Sequence, residues 1–343
     1  MLLAFGLMMF LSIAPEKVLP QVLSAVFSLL AGWVILRLGI NNILPLAWLA
    51  YIGVLILLIL TLILGKTSRG SSRWLKIGGF QLQASELAKP VLLLATIKLV
   101  ENGWPGNTQK QVKLLIKYII TALTPFALVL IQPDLGSALV LLAIGGWIFI
   151  SSLPPKRLIF WLMVIAVALL PLSKFGLRGY QLHRLESFID PYADPLGTGY
   201  HVIQSTIAVG SGGIFGRGLG YGTQGKLRFL PERQTDFIFA NLVEELGLAG
   251  GVTVISLYSV IVGVCFWGAI KSRKQEERLI LSGIGVWLFF QTAVNISMNL
   301  GIMPVTGVTL PLLSYGGSSL LSSAITFALA FSVMNNHDLG SWG

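Results

Sequence analysis

Long apolar runs separated by short polar connections divide the 343-residue chain. A helix that crosses a bilayer needs about 20 apolar residues. Runs that meet or approach this length lie at 1–14, 19–38, 44–64, 86–101, 113–131, 136–153, 158–173, 236–269, 279–300 and 316–334. The pattern predicts an all-α polytopic membrane protein, a single transmembrane domain over 1–343 with about ten transmembrane helices.

The distribution of Lys and Arg predicts the orientation of these helices. Short loops rich in Lys and Arg stay in the cytoplasm. The connections on the side of the termini carry ten of these residues, and those on the opposite side carry five. We therefore expect both termini in the cytoplasm and a large extracytoplasmic loop, about 174–235, between helices 7 and 8. The polar interruptions at 66–89 and 301–319 fall on the same outer side, where a shared site would open outward.

Composition supports a membrane protein and narrows its chemistry. Hydrophobic residues make up 55% of the chain and charged residues 11%, with a mean hydropathy of +0.81. The net charge is +10, but the cations form short clusters between apolar runs, which does not suit a nucleic-acid surface. We assign them to orientation in the membrane and to an anionic, lipid-linked ligand. The first run, 1–14, has no cleavage site of a signal peptide and is interpreted as a short membrane helix.

The stretch 217–250 carries the most unusual charge pattern. A glycine-rich segment with four cations precedes one carboxylate, Asp236, at the start of a long apolar run. We expect Thr235 to cap that helix and Asp236 to lie in its first turn, where the helix dipole favours an anion. A purely structural role at the helix start stays open, although the neighbouring cations favour a functional one.

Two further pairs of polar residues are candidates. Glu86 and Lys89 lie three residues apart and share one face of a helix, as substrate ligands or as an ordinary ion pair. Arg73, upstream beside Trp74, suits either a ligand or an anchor in the headgroup region.

Three carboxylates are interpreted mainly as structural. Glu244 and Glu245 point about 100° apart on a helix, so at most one shares a cavity wall with Asp236, and pairing or capping is favoured for the other. Asp134 lies between Pro133 and Gly136, where a structural turn is the favoured role.

Several common chemistries find no support. The three His residues lack ligand partners at metal spacing, and the single Cys excludes both a disulfide framework and a cysteine metal site. No G-x-S-x-G elbow occurs, and the glycines of 210–222 lack the ending of a phosphate loop, so we expect a flexible loop there.

Five motifs in this order resemble the SEDS family (shape, elongation, division and sporulation), the polytopic peptidoglycan glycosyltransferases that include RodA, FtsW and SpoVE. They are SRWLKIGGFQLQASELAK (72–89), QPDLG (132–136), DPLGTGYHVIQSTIAVGSGGIFGRGLG (194–220), FLPERQTDFIFANLVEELGLAGG (229–251) and PVTGVTLPLLSYGGSS (304–319). GYHVIQS together with FLPER is most like the RodA, or elongation, branch.

The resemblance implies a ten-helix fold and polymerisation of lipid II outside the cytoplasmic membrane during cell elongation. The aspartate of its TDF motif falls on Asp236, as the general base. Its polar pair falls on Glu86 and Lys89. With the cations, we assign substrate binding to Arg73, Glu86, Lys89, Gln204, Ser205, Arg217, Lys226, Arg233, Thr306 and Ser314. These cations or a divalent cation, Mg²⁺ or Mn²⁺, would balance the pyrophosphate charge, and no other cofactor is assigned.

The resemblance also implies a complex with a class B penicillin-binding protein, a transpeptidase, within the cell-elongation machinery. Two alternatives stay open. A lipid II flippase would also need cations and intramembrane acids, and a non-catalytic scaffold would hold the transpeptidase without needing Asp236 among cations.

Overall fold

A computed structural model describes residues 1–68, 71–77, 80–153, 188–195, 197, 199–227 and 229–336, with the side chains of 66–68, 71–72, 76–77, 80 and 336 left aside. The predicted span 158–173 and the beginning of the outer loop lie outside these residues. The helices are α1 (Leu2–Ile13), α2 (Val18–Leu38), α3 (Ile40–Ile43), α4 (Ala47–Leu64), α5 (Ala84–Val100), α6 (Thr108–Ile131), α7 (Leu135–Ser152), α8 (Tyr200–Ser211), α9 (Thr223–Lys226), α10 (Ile238–Lys271), α11 (Gln275–Asn299) and α12 (Gly317–Asn336).

The helices agree with the predicted spans wherever the chain is described. Among the described residues, seven stretches are long and apolar enough to cross a membrane: α2, α3 joined to α4, α6, α7, α10, α11 and α12. The shorter helices α1 and α5 coincide with the predicted spans 1–14 and 86–101. The prediction of a polytopic, helical membrane protein is confirmed.

Apolar residues cover both the inside and the outside of the bundle. Leu93, Ile144, Ile284 and Leu329 belong to one buried core shared by α5, α7, α11 and α12. Leu49 on α4 is instead 70% exposed, one of many large apolar side chains on the outer helices. An outward apolar surface of this kind is what a lipid environment requires.

A small antiparallel sheet, which the sequence did not predict, follows α4. Its strands β1 (Lys66–Ser68), β2 (Ser71–Ile77) and β3 (Phe80–Leu82) pair in that order. β2 pairs with both neighbours, through Trp74 with β1 and through Leu75 with β3. The sheet fixes the backbone that carries Arg73.

A glycine breaks α10 one third of the way along. Gly247 has φ 71° and ψ −170°, a conformation that only glycine adopts easily. A Cβ at Gly247 would lie 2.3 Å from the backbone nitrogen of Gly216. The break therefore lets the outer loop pass directly against the helix.

Candidate active site

Asp236 lies in a run of turns that leads into α10, before the helix begins. Thr235 Oγ1 donates to the carbonyl of Glu232 at 3.2 Å, and Phe237 holds the N-cap position with no side-chain bond. The prediction that Thr235 caps the helix, with Asp236 in its first turn, was therefore wrong. Glu232 has φ 48°, and its carbonyl accepts from the backbone N–H of both Thr235 and Phe237, so the chain forms a turn there instead of a helix.

The carboxylate of Asp236 shares a small space with Arg73 and Gly307. A Cβ built on Gly307 would lie 3.4 Å from Asp236 Oδ2 and 3.8 Å from Arg73 Nη1. Gly307 also has φ 75°, which favours glycine. Three distant segments, each predicted to lie on the outer side, thus converge at this point.

The surroundings of Asp236 raise its pKa to about 6. Burial is the largest cause, because it disfavours the charged form, and the negative charge of Glu232 adds to it. Arg73 acts in the opposite direction. A carboxylate with a pKa just below neutrality, partly exposed to solvent, is well suited to accept a proton from a substrate hydroxyl.

The turn before α7 contacts the guanidinium group of Arg73 and fixes its position. Its Nη1 lies 3.7 Å from Asp134 Oδ1, and its Nη2 donates to the carbonyl of Pro133. Asp134 is buried and caps α7 by accepting from Ser137 N at 3.3 Å, and its other oxygen accepts from Ser85 Oγ at 3.3 Å. This is the structural turn that the sequence favoured, and it also orients a cation next to Asp236.

The cations of the outer loop differ in their surroundings. Arg217 and Lys226 are exposed. Arg217 Nη1 donates to Thr223 Oγ1 at 3.0 Å, and Lys226 Nζ to the carbonyl of Gly220 at 3.0 Å. Arg233 is buried, and its Nη1 donates to the carbonyl of Gly225. Their contacts stabilise the loop, and pyrophosphate binding by these three residues stays a prediction.

Glu244 and Glu245 hold that loop against α10. Glu244 Oε1 accepts from the backbone N–H of Thr223 at 2.7 Å, which caps α9. Glu245 accepts from Ser12 Oγ at 2.6 Å and from Gly220 N at 3.2 Å. Both are buried and take the structural roles that the sequence favoured. The glycine-rich segment expected to be flexible is instead fixed by these contacts.

Glu86 and Lys89 form a buried ion pair, with Lys89 Nζ 2.7 Å from Glu86 Oε1. Lys89 is fully buried and also donates to Gln291 Oε1 at 2.9 Å. Gln291 Nε2 in turn donates to the carbonyl of Thr309 at 2.8 Å. The ion pair that the sequence left open is therefore present, and it reaches the 301–316 segment through Gln291. A direct contact with substrate stays a prediction.

The remaining candidates make mainly structural contacts. Ser205 Oγ donates to the carbonyl of Asn299 at 2.7 Å, and Ser314 Oγ to that of Thr235 at 2.6 Å. Thr306 Oγ1 contacts the sulfur of Met298 at 3.6 Å. Gln204 lies half-buried on α8. Substrate binding by these four residues stays a prediction.

Two asparagines at the Asp236 turn were missed by the sequence analysis. Asn295 Nδ2 and Asn299 Nδ2 donate to the backbone carbonyl of Asp236 at 2.9 and 3.0 Å. With Gln291 they lie four residues apart in an apolar helix, and this spacing of amides was the available signal.

The divalent cation that the sequence allowed for stays a proposal. In the part of the chain that the structure describes, no three His, Cys, Asp or Glu side chains lie together as a metal site requires.

Comparisons with known proteins agree with the resemblance. The family described as Cell cycle protein, which groups FtsW, RodA and SpoVE, matches residues 4–338. The peptidoglycan glycosyltransferase MrdB of Escherichia coli (strain K12) is 38% identical over 289 residues, 83% of this chain and 77% of its own length. The probable peptidoglycan glycosyltransferase FtsW of Coxiella burnetii is 35% identical over 309 residues, 87% of this chain and 81% of its own.

Two solved structures are similar over almost the whole length. One comes from a study of the structural coordination of polymerization and crosslinking by a peptidoglycan synthase complex. It has a TM-score of 0.81 at 36% identity and covers 98% of this chain and 96% of its own. The rod shape determining protein RodA of Thermus thermophilus has a TM-score of 0.71 at 30% identity, with coverages of 98% and 94%.

Proposed function

This chain belongs to the family of FtsW, RodA and SpoVE, and from that membership we propose that it is a peptidoglycan glycosyltransferase that polymerises lipid II during cell elongation. The observation that carries the proposal is the convergence of Asp236, Arg73 and Gly307 from three segments on one side of the bundle. The site combines a base of suitable pKa with an adjacent cation.

In the reaction, a sugar hydroxyl of one lipid II molecule attacks the anomeric carbon of another. A hydroxyl is a poor nucleophile, so Asp236 accepts its proton as the new C–O bond forms. The bond from the anomeric carbon to the pyrophosphate breaks, and its electron pair leaves with undecaprenyl pyrophosphate. Arg73 is the cation whose charge lowers the pKa of Asp236, and it offsets developing negative charge. Lys89, Arg217, Lys226 and Arg233 stay candidates for the pyrophosphates.

The first test compares the wild type with Asp236→Asn on labelled lipid II, with and without Mg²⁺ or Mn²⁺. Removal of the base should lower the polymerisation rate by about 100-fold or more while the protein still inserts into membranes. Asp190→Asn is the matched control, because Asp190 is exposed in the predicted outer loop and its carboxylate accepts from Tyr192 N. Polymerisation by Asp236→Asn at the wild-type rate would remove Asp236 from the mechanism.

The same assay separates the alternatives. A flippase would move lipid II between the leaflets of a vesicle without forming glycan strands, and a scaffold would do neither. Absence of strands from the wild type, in the presence of its partner, would overturn the enzymatic proposal.

We further propose that the protein lies in the bacterial cytoplasmic membrane, with both termini in the cytoplasm, and assembles with a class B penicillin-binding protein of the elongation machinery. The similarity to a chain from a peptidoglycan synthase complex supports the partner. The excess of Lys and Arg in the connections on the side of the termini supports the orientation.

A further inference from the structure

Helix α11 carries three amide side chains on one face: Gln291, Asn295 and Asn299. They are spaced by four residues, and each is 0% exposed. A buried amide without partners costs free energy, so three of them in one apolar helix need a compensating set of hydrogen bonds. We call these three residues the amide ladder.

Two residues of the amide ladder, Asn295 and Asn299, donate to the same backbone oxygen. Asn295 Nδ2 lies 2.9 Å and Asn299 Nδ2 3.0 Å from the backbone oxygen of Asp236. Asn299 Oδ1 also accepts from Ala240 N at 3.0 Å, at the start of α10. The turn that carries the carboxylate is thus held at Asp236 itself and at Ala240, four residues later.

The ladder also fixes the opposite wall of the site. Asn295 Nδ2 donates to the carbonyl of Val308 at 2.6 Å, and the next residue back, Gly307, faces the Asp236 carboxylate. One amide group therefore contacts both the turn that carries the base and the wall against which a substrate hydroxyl must lie. A rigid body of this kind is needed because a misplacement of about 1 Å costs about 100-fold in rate.

We propose that Asn295 and Asn299 are positioning residues for Asp236: together they hold its backbone so that the carboxylate stays aimed at the acceptor hydroxyl. This inference rests on the proposed function and deepens it. Neither asparagine touches the reacting atoms, so their loss should lower kcat and leave the KM for lipid II within about twofold.

The experiment is a double-mutant cycle on the intact protein, with its transpeptidase partner if activity requires it. Each of Asn295→Ala and Asn299→Ala leaves one donor on the Asp236 carbonyl, so each should lower kcat only a few-fold. The double variant leaves none and should lower kcat by about 100-fold, well beyond the product of the single effects. Thr292→Val is the control, because Thr292 is buried on the same helix and its hydroxyl has no partner in the described residues.

A second readout separates positioning from a general loss of stability. Asp236 is surrounded by Arg73, Glu232 and Asp134, and burial keeps its pKa high. A turn released from the ladder exposes the carboxylate, so the acidic limb of the rate profile should move to lower pH in the double variant. Loss of active protein alone would scale the profile without moving it.

Three outcomes would overturn the inference: wild-type kcat in the double variant, strictly multiplicative single effects, or a raised KM with unchanged kcat. If the alanine variants do not accumulate in membranes, Asn295→Leu and Asn299→Leu keep nearly the same size and remove the amide donors without adding a charge, and the same readouts apply. An inactive wild type would overturn the proposed function instead.

Discussion

At the scale of the residue, the site is a carboxylate whose charge is set by its neighbours. The pKa of Asp236 is raised to about 6, mainly by burial, and Arg73 opposes the increase. Below this pH the carboxyl is protonated and cannot act as a base. We expect kcat/KM to rise with pH up to about 6 and to level off above it, as measured between pH 5 and pH 8.

The neutral substitution Arg73→Gln should move the rise of kcat/KM with pH to higher pH, because it removes the cation that favours the charged form of Asp236. Lys98→Gln is the control, since Lys98 lies in the last turn of α5, away from the site, and pairs at 2.9 Å with Glu101, which follows the helix. If kcat/KM rises at the same pH in both variants, the assigned role of Arg73 is wrong.

The residues of the site were predictable to very different degrees. Asp236 could be identified from its position among cations beside an apolar run. Asn295 and Asn299 could not be assigned to it, because their target is a backbone oxygen that carries no mark in the sequence. The predicted cap by Thr235 was wrong for a related reason. Glu232 adopts a left-handed backbone conformation, which redirects the chain before the helix begins.

At the scale of the element, the broken helix α10 decides where the outer loop lies. Gly247→Ala forces a Cβ to within 2.3 Å of Gly216 N and keeps φ at 71°. We expect a loss of stability of at least about 1 kcal/mol, seen as a lower melting temperature in detergent. Gly263→Ala in the same helix meets nothing within 4 Å and should leave the melting temperature unchanged or slightly raised. Similar melting temperatures for the two variants would contradict this account.

Hydrophobic runs predicted the helices well because the lipid requires continuous apolar surface. The sheet β1 to β3 was not predictable in the same way. Its strands are short, and their pairing depends on turns between them, so no long-range apolar period marks it.

At the scale of the whole molecule, the predicted orientation has a direct test. Ile302, after α11, is 62% exposed and should lie outside, and the exposed Gln109 in the first turn of α6 should lie inside. The only native cysteine, Cys265, is buried, so its background labelling should be low. In intact cells a membrane-impermeant thiol reagent should label Ile302→Cys and spare Gln109→Cys until the membrane is opened. The reverse pattern would place the termini outside.

The backbone of the Asp236 turn and that of the segment after Gly307 are bonded to each other. Tyr315 N donates to the carbonyl of Gln234 at 2.8 Å, and Ser314 Oγ to that of Thr235. Although about 80 residues of sequence separate them, the two segments form one structural unit. A chimera with a relative should therefore keep activity when 229–251 and 304–319 are exchanged together, and lose it when one is transplanted alone.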